Sequence, residues 1–372
     1  MESDVEQETG SDQAISESPF DPNKISINIV PHTIGQVIDK LEYDEIKIPD
    51  YQRQADLWPQ KQKSRFIESL MLNLPIPLFY FAEAEDGKWL VVDGLQRITT
   101  LRQFMLAEKQ TDVRRLILSD MEFKTEFNGC SWESLPPAMQ RRINTSQITI
   151  NLIGKHTPVA VQHNIFSRIN QGNSPLTPQE IRTALFQDYR IRFLKNLVSE
   201  KTTQGQAFIA ATDNSISNHR QDDLDFATRF LAFYMQDATT YVPDMETFLT
   251  EATKNIPASA KRQELINENF LAAMQLAATL FGDKAFRKPS DNDRRNPINK
   301  SLFEALSTQL ARLSFAERQT LIANKSNFIY EFNRLFEKKD FVTAISSGTA
   351  AKEKVIIRHK EINEIIKLNC HA

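Results

Sequence analysis

"VVDGLQRITTL", residues 91–101, decides how the first half of this chain is read. An apolar, β-branched run ends in Asp93-Gly94, and Gln96-Arg97 lead at once into a helical pattern. A turn there needs only the Asp-Gly, and a helix start needs only a cap. A strand that enters a helix through a glycine leaves the first backbone N–H groups of that helix without partners, and with the helix dipole they favour an anion. Gly94 permits close backbone approach, and Arg97 offers a planar, bidentate donor suited to a phosphate. Gln96 can orient a water or read a base edge, and Asp93 can accept from a ribose or bind a metal ion. The plain alternative is that Arg97 pairs with Asp93 across the turn.

Working outward, "KISINIV" (24–30) reads as a strand and "TIGQVIDKLEY" (33–43) as a helix with Thr33 as its N-cap. "EIKIPDYQR" (45–53) is a strand followed by a turn. It brings a second Gln-Arg pair, Gln52 and Arg53, to a strand end beside Tyr51 and Trp58. "WPQKQKSRFIESLMLNLP" (58–75) carries Phe66, Ile67, Leu70 and Met71 on one helical face, with Pro75 as its terminator. "PLFYFAEAEDGKWLVVDG" (77–94) reads as two strands joined at Asp86-Gly87. After about residue 155 the strand signal fades and the remaining segments carry helical spacing. Thr177, Pro178 and Glu180 in "LTPQEIR" have the order of a capping box with proline at N1, which leaves Arg168, Asn170 and Arg182 as the polar residues to account for. The expected fold class is therefore α+β: a leader at 1–24, a mixed α/β domain at 25–155 and a helical domain at 156–372.

Composition narrows the function classes. A chain of 372 residues with 41% hydrophobic content and 24 phenylalanines can build a core without disulfides or metals. Cys130 and Cys370 form no C-x-x-C, and the six histidines make no H-x-x-x-H, so a zinc site is not expected. No apolar run approaches a membrane span and no signal pattern opens the chain, so the expected location is the cytoplasm. Residues 1–21 hold seven acidic residues and no Lys or Arg, and read as a disordered, solvated tail. A net charge of −3 gives no global nucleic-acid signature, but Arg287, Lys288, Arg294, Arg295 and Lys300 in "RKPSDNDRRNPINK" (287–300), diluted by Asp291 and Asp293, form a basic loop that reads equally as a weak, salt-sensitive contact to DNA phosphates or as a plain solvated loop. E-x-K occurs at Glu45/Lys47 and Glu122/Lys124, a short pattern with no metal-nuclease Asp at the usual spacing.

"IPDYQRQADLW" (48–58), "RFIESLMLNLPIPLFYF" (65–81), "WLVVDGLQRITTL" (89–101) and "IFSRINQGNSPLTPQEIR" (165–182) together resemble the N-terminal domain family of GmrSD-type restriction endonucleases, itself similar to the ParB/sulfiredoxin fold. "RFLAF" (229–233), "DMETFL" (244–249), "NPINKSLFEAL" (296–306) and "FVTAISSGTAAKEKVIIRHKEI" (341–362) resemble its helical extension. The resemblance implies a nucleotide-binding, NTP-hydrolysing module of bacterial DNA-targeting defence, with an NTP and Mg2+ as cofactors and a separate nuclease subunit as partner. It implies Asp93, Gln96 and Arg97 as catalytic residues and Gln52, Arg53, Gly94, Arg97, Arg168 and Asn170 as nucleotide-binding residues. The family signature reads Asp-Gly-Gln-Gln-Arg, and here Leu95 stands at its third position. The HNH-like domain that cutting relatives carry afterwards is absent from this sequence. A ParB-type DNA-binding adaptor using the basic loop, and a stand-alone nuclease using an E-x-K segment, are the alternative readings.

Overall fold

The computed structural model describes residues 4–6, 25–48, 58–84, 86–110, 113–169, 176–186, 188–290 and 295–370. Gln52, Arg53, Asn170 and Arg294 lie outside the described residues. By contacts the chain forms two compact units, one of residues 20–176 with 183–185, the other of 1–19, 177–182 and 186–372. The expected boundary at 155 falls later because the helix Val159–Ile169 packs against the sheet.

The first unit is built on a five-stranded mixed sheet of order β1-β5-β3-β4-β2, with β1 at Ile27–Thr33, β2 at Ile46–Lys47, β3 at Phe79–Glu83, β4 at Trp89–Asp93 and β5 at Gln147–Ile153. β1 runs antiparallel to β5 and β3 to β4, whereas β5–β3 and β4–β2 are parallel. β5, which the sequence reading passed over, lies between β1 and β3. Its Ile148, Ile150 and Ile153 are buried, and the half-polar "QITINLI" pattern hid it beside the preceding helix.

Three helices cover one face: α1 (Ile34–Glu42), α2 (Gln60–Met71) and α3 (Leu95–Met105), which bury Val37, Ile67, Leu101 and Phe104 against Phe79, Phe81 and Val91. Each element follows from local chemistry. Thr33 caps α1 in a full capping box with Gln36. The α2 helix stops at Met71, short of the expected Pro75, because Asn73 turns into the left-handed region at φ 56°. Gly87, at φ 77°, makes the β3–β4 turn as expected.

Buried Glu68 on α2 accepts the backbone N–H groups of Glu122, Phe123 and Lys124 at 3.0, 2.7 and 2.7 Å. Burial alone would raise its carboxyl, but these donors hold it below its ordinary value. The second E-x-K is thus a loop pinned by Glu68, with Glu122 at 3.2 Å from Arg65.

The second unit is helical. Its interior stacks Phe208, Phe226, Phe230, Phe270 and Phe303 in edge-to-face and stacked contacts. Glu304, fully buried, receives Arg358 and, at 3.1 Å, Arg229. Arg182 and Lys300 converge on Asp225, each at 2.8–2.9 Å. Burial pushes Asp225 up, yet Lys300, Arg229 and Arg182 outweigh it and hold the carboxyl well below its ordinary range. Arg182, left as a polar remainder by the sequence, is therefore an internal ion-pair residue. Thr177, Pro178 and Glu180 form the expected capping box. No helix among the described residues is long and apolar enough to cross a membrane.

Candidate functional site

β4 delivers Asp93 and then Gly94, whose φ of 96° and ψ of 12° place it in the left-handed region as the N-cap of α3. A Cβ at Gly94 would stand 2.6 Å from the Phe79 ring, so conformation and space both require glycine. Glycine offers no side chain to cap, and among the described residues no side-chain cap bond closes the start of α3.

Arg97 does not extend from this end. Its guanidinium folds back, donating to the Pro77 carbonyl, to the Leu78 carbonyl at 3.0 Å and to Asp93 at 2.9 Å, with its plane over the Phe79 ring at 4.3 Å. The side chain is 9% exposed. Burial draws its pKa down, and Asp93 opposes that shift. Pro75 and Pro77 break the backbone that leads into β3, and Arg97 supplies donors to the two carbonyls on that approach. The i,i+4 pair foreseen as the plain alternative is present, and the two carbonyl contacts give Arg97 a positioning role. Asp93 keeps its side chain 38% exposed at the mouth of the helix.

Gln96 is tied to the other end of the site. Its Oε1 accepts the Trp58 N–H at 3.3 Å, linking the start of α3 to the residue just before α2. Beyond Trp58 opens a cavity of about 220 Å3 whose lining includes Trp58, Lys63, Gln103, Arg114, Arg115 and Leu116. Lys63 is buried and donates to Gln103 Oε1 at 2.8 Å, and Arg115 pairs with Glu108. The cavity is small, with one tryptophan and three cationic side chains on its wall. The sequence reading missed Lys63, Arg114 and Arg115. The available signal was the adjacent Arg pair in "DVRRL", but nothing local says that it faces α2. Leu95, where the family signature has glutamine, packs partly buried against the core. Arg168 is exposed in the last turn of the helix that lies against β4.

Residues 34–187 match the family model described as GmrSD restriction endonuclease, N-terminal domain. This stretch is similar to a GmrSD N-terminal domain. The family points to a component of a restriction-type defence system. No curated protein and no solved structure matches the chain.

In the helical unit the basic loop expected on DNA is engaged from within the chain. Arg287 is 1% exposed at its side chain and pairs with Asp4 at 3.0 Å, and Lys288 pairs with Glu6 at 2.6 Å. Arg295 pairs with Asp213 and, at 3.6 Å, with Asp4. Asp4–Glu6 of the acidic leader, expected as solvated tail, are thus seated residues, because three cations stand ready to receive their carboxylates.

Proposed function

We propose that the GmrSD N-terminal domain of this chain binds and hydrolyses a nucleoside triphosphate as the sensing component of a DNA-targeting restriction system. The observation that carries the reading is the joining, through Gln96 and the Trp58 backbone, of the glycine-capped start of α3 to a cation-lined cavity. Lys63, Arg114 and Arg115 neutralise phosphates, and the Trp58 ring supplies an apolar wall for a base. Asp93, half-exposed beside the helix start, accepts from a ribose or holds one corner of a Mg2+ ion whose remaining ligands are phosphates and water. Among the described residues no group of three His, Cys, Asp or Glu is placed to hold a metal ion. Arg97 positions Asp93 and the 77–78 carbonyls. Gln52, Arg53, Gly94, Arg168 and Asn170 remain part of the proposed pocket.

The stand-alone nuclease reading is weaker. Glu122 is paired with Arg65, Glu45 with Lys40 at 2.6 Å, and Lys47 with Asp86 at 2.9 Å, so neither E-x-K presents an open carboxylate–lysine pair.

The test is binding and turnover of ATP, GTP and CTP by the purified chain, with and without DNA, beside Arg114→Ala/Arg115→Ala and Asp93→Asn. The double variant should weaken binding by roughly tenfold or more, since charge-assisted contacts contribute ~1.5–3 kcal/mol each. Asp93→Asn should bind and fail to turn over. Folded wild-type protein that binds none of the three nucleotides under any condition ends this reading.

A further inference from the structure

The acidic leader and the basic loop meet in a seat with unusual chemistry. Asp4, Val5 and Glu6 lie extended beside Ile298: Val5 forms a parallel bridge to it, Glu6 N–H donates to the Ile298 carbonyl at 2.8 Å, and Ile298 N–H donates to the Asp4 carbonyl at 3.0 Å. The Asp4 N–H donates to the Ser215 carbonyl at 2.8 Å. Alternate residues of an extended strand share one face at ~7 Å spacing, so Asp4 and Glu6 present a short row of anions. That row meets Arg287, Lys288 and Arg295, and Asn299 Nδ2 donates to Glu6 at 3.0 Å. Arg287 is also held by Ser215 Oγ at 2.6 Å and the Asn296 carbonyl, so its guanidinium stays in place without the leader.

We propose that this seat is a binding site for the phosphate backbone of nucleic acid, and that the acidic leader covers it as a displaceable mimic. The seat reads charge rather than side-chain shape: Val5 is only half-buried and Asp4 is exposed, while the described side chains that reach Asp4 and Glu6, those of Arg287, Lys288, Arg295 and Asn299, are donors. Among the described residues Arg287, Lys288 and Arg295 face Asp213 once the leader is away, a net of two positive charges that Asp4 and Glu6 cancel. Each leader pair is partly solvated and so singly weak and salt-sensitive, which makes the cover exchangeable for a longer polyanion. The other five acidic residues of positions 1–21 give the leader the composition of such a mimic. This inference rests on the DNA-targeting part of the reading above and is independent of the nucleotide pocket.

The experiment uses the full chain and a fluorescent 20-nucleotide DNA, with anisotropy followed across a salt series. Asp4→Asn/Glu6→Gln should bind at least tenfold more tightly than wild type, with a log–log salt slope steeper by about 1.4 on this single strand. Adding Lys288→Glu and Arg295→Glu should remove the gain. Glu264→Gln/Glu268→Gln, exposed on the helix Ala260–Phe281, makes the same charge change outside the leader and should leave affinity near wild type. An equal gain from that control, no gain in folded Asp4→Asn/Glu6→Gln, or capture of an acidic peptide but not DNA, each overturns the proposal. ATP binding by the same proteins, measured by calorimetry, should not depend on the leader. A failure of the nucleotide reading would therefore show separately.

Discussion

Replacing Arg97 with alanine separates a ligand group from a positioning group, and the geometry gives the size of the effect. The guanidinium donates to two backbone carbonyls, Pro77 and Leu78, and to Asp93, and covers the Phe79 ring. Hydrogen bonds from a charged donor contribute ~1.5–3 kcal/mol each, and leaving a buried acceptor without a partner costs a similar amount. The Asp93 pair is half-solvated and adds at most ~1 kcal/mol, and the contact over Phe79 adds ~0.5–1 kcal/mol. These contributions are not additive, and a loss of about 3–4 kcal/mol is the expected outcome. A domain holds only ~5–15 kcal/mol in total, so Arg97→Ala should leave the N-terminal domain marginal.

The assay is urea unfolding followed by tryptophan fluorescence. Trp58, Trp89 and Trp132, the three tryptophans of the chain, all belong to the first unit, so emission reports that domain. Arg97→Lys should fall between, because one ammonium cannot reach two carbonyls and a carboxylate in a fixed fork. A wild-type unfolding midpoint for Arg97→Ala, together with lost nucleotide binding, would refute the reasoning and make Arg97 a direct phosphate contact.

Two further outcomes are expected in the helical unit. Glu304→Ala should destabilise it by about 3–5 kcal/mol, because Arg358 and Arg229 are left charged in the interior, whereas Glu304→Leu/Arg358→Met should cost less than the single change. Circular dichroism at 222 nm would read this loss in a transition that fluorescence does not see. Burial raises Asp223 to about 6, with Asp222 adding to the shift and the Leu224 N–H opposing it. The folded chain therefore prefers the protonated acid. That contribution is complete below the ordinary value near 3.8 and is lost as pH rises through about 6. Asp223→Asn should accordingly stabilise the protein by about 1–2 kcal/mol at pH 8, once the lost helix-start charge is subtracted, and by nothing below pH 4. Thermal melts across that range decide it.

What the sequence disclosed and what it withheld divide by range. The Thr33 cap, Thr177 with Glu180, and Gly94 between strand and helix are local devices, and all were legible. The Asp93–Arg97 pair was legible for the same reason. The Pro77 and Leu78 carbonyls under Arg97 were not, since they lie about twenty positions upstream and meet Arg97 only once β3 pairs with β4. The cavity cations share that limit: Lys63 and Arg115, about fifty positions apart, line one cavity only in the folded domain. Asp4 and Arg287 are the extreme case, 283 positions apart. An acidic run and a basic run in one chain always permit pairing, but composition does not reveal which carboxylate finds which guanidinium.

The same difference in range explains how Leu95 can replace the glutamine of the family signature without disturbing the joint. Gly94 is fixed by its own φ and by Phe79, Arg97 by carbonyls beneath it, and Gln96 by the Trp58 backbone, so three of the four positions after Asp93 are held by contacts with the domain's own frame. Leu95 turns instead toward the apolar core, where a partly buried leucine is stabilising. A signature of this kind therefore mixes residues that shape the frame with residues that meet a ligand. In this chain the Asp93 side chain stays 38% exposed, and the proposed chemistry of the site turns on it.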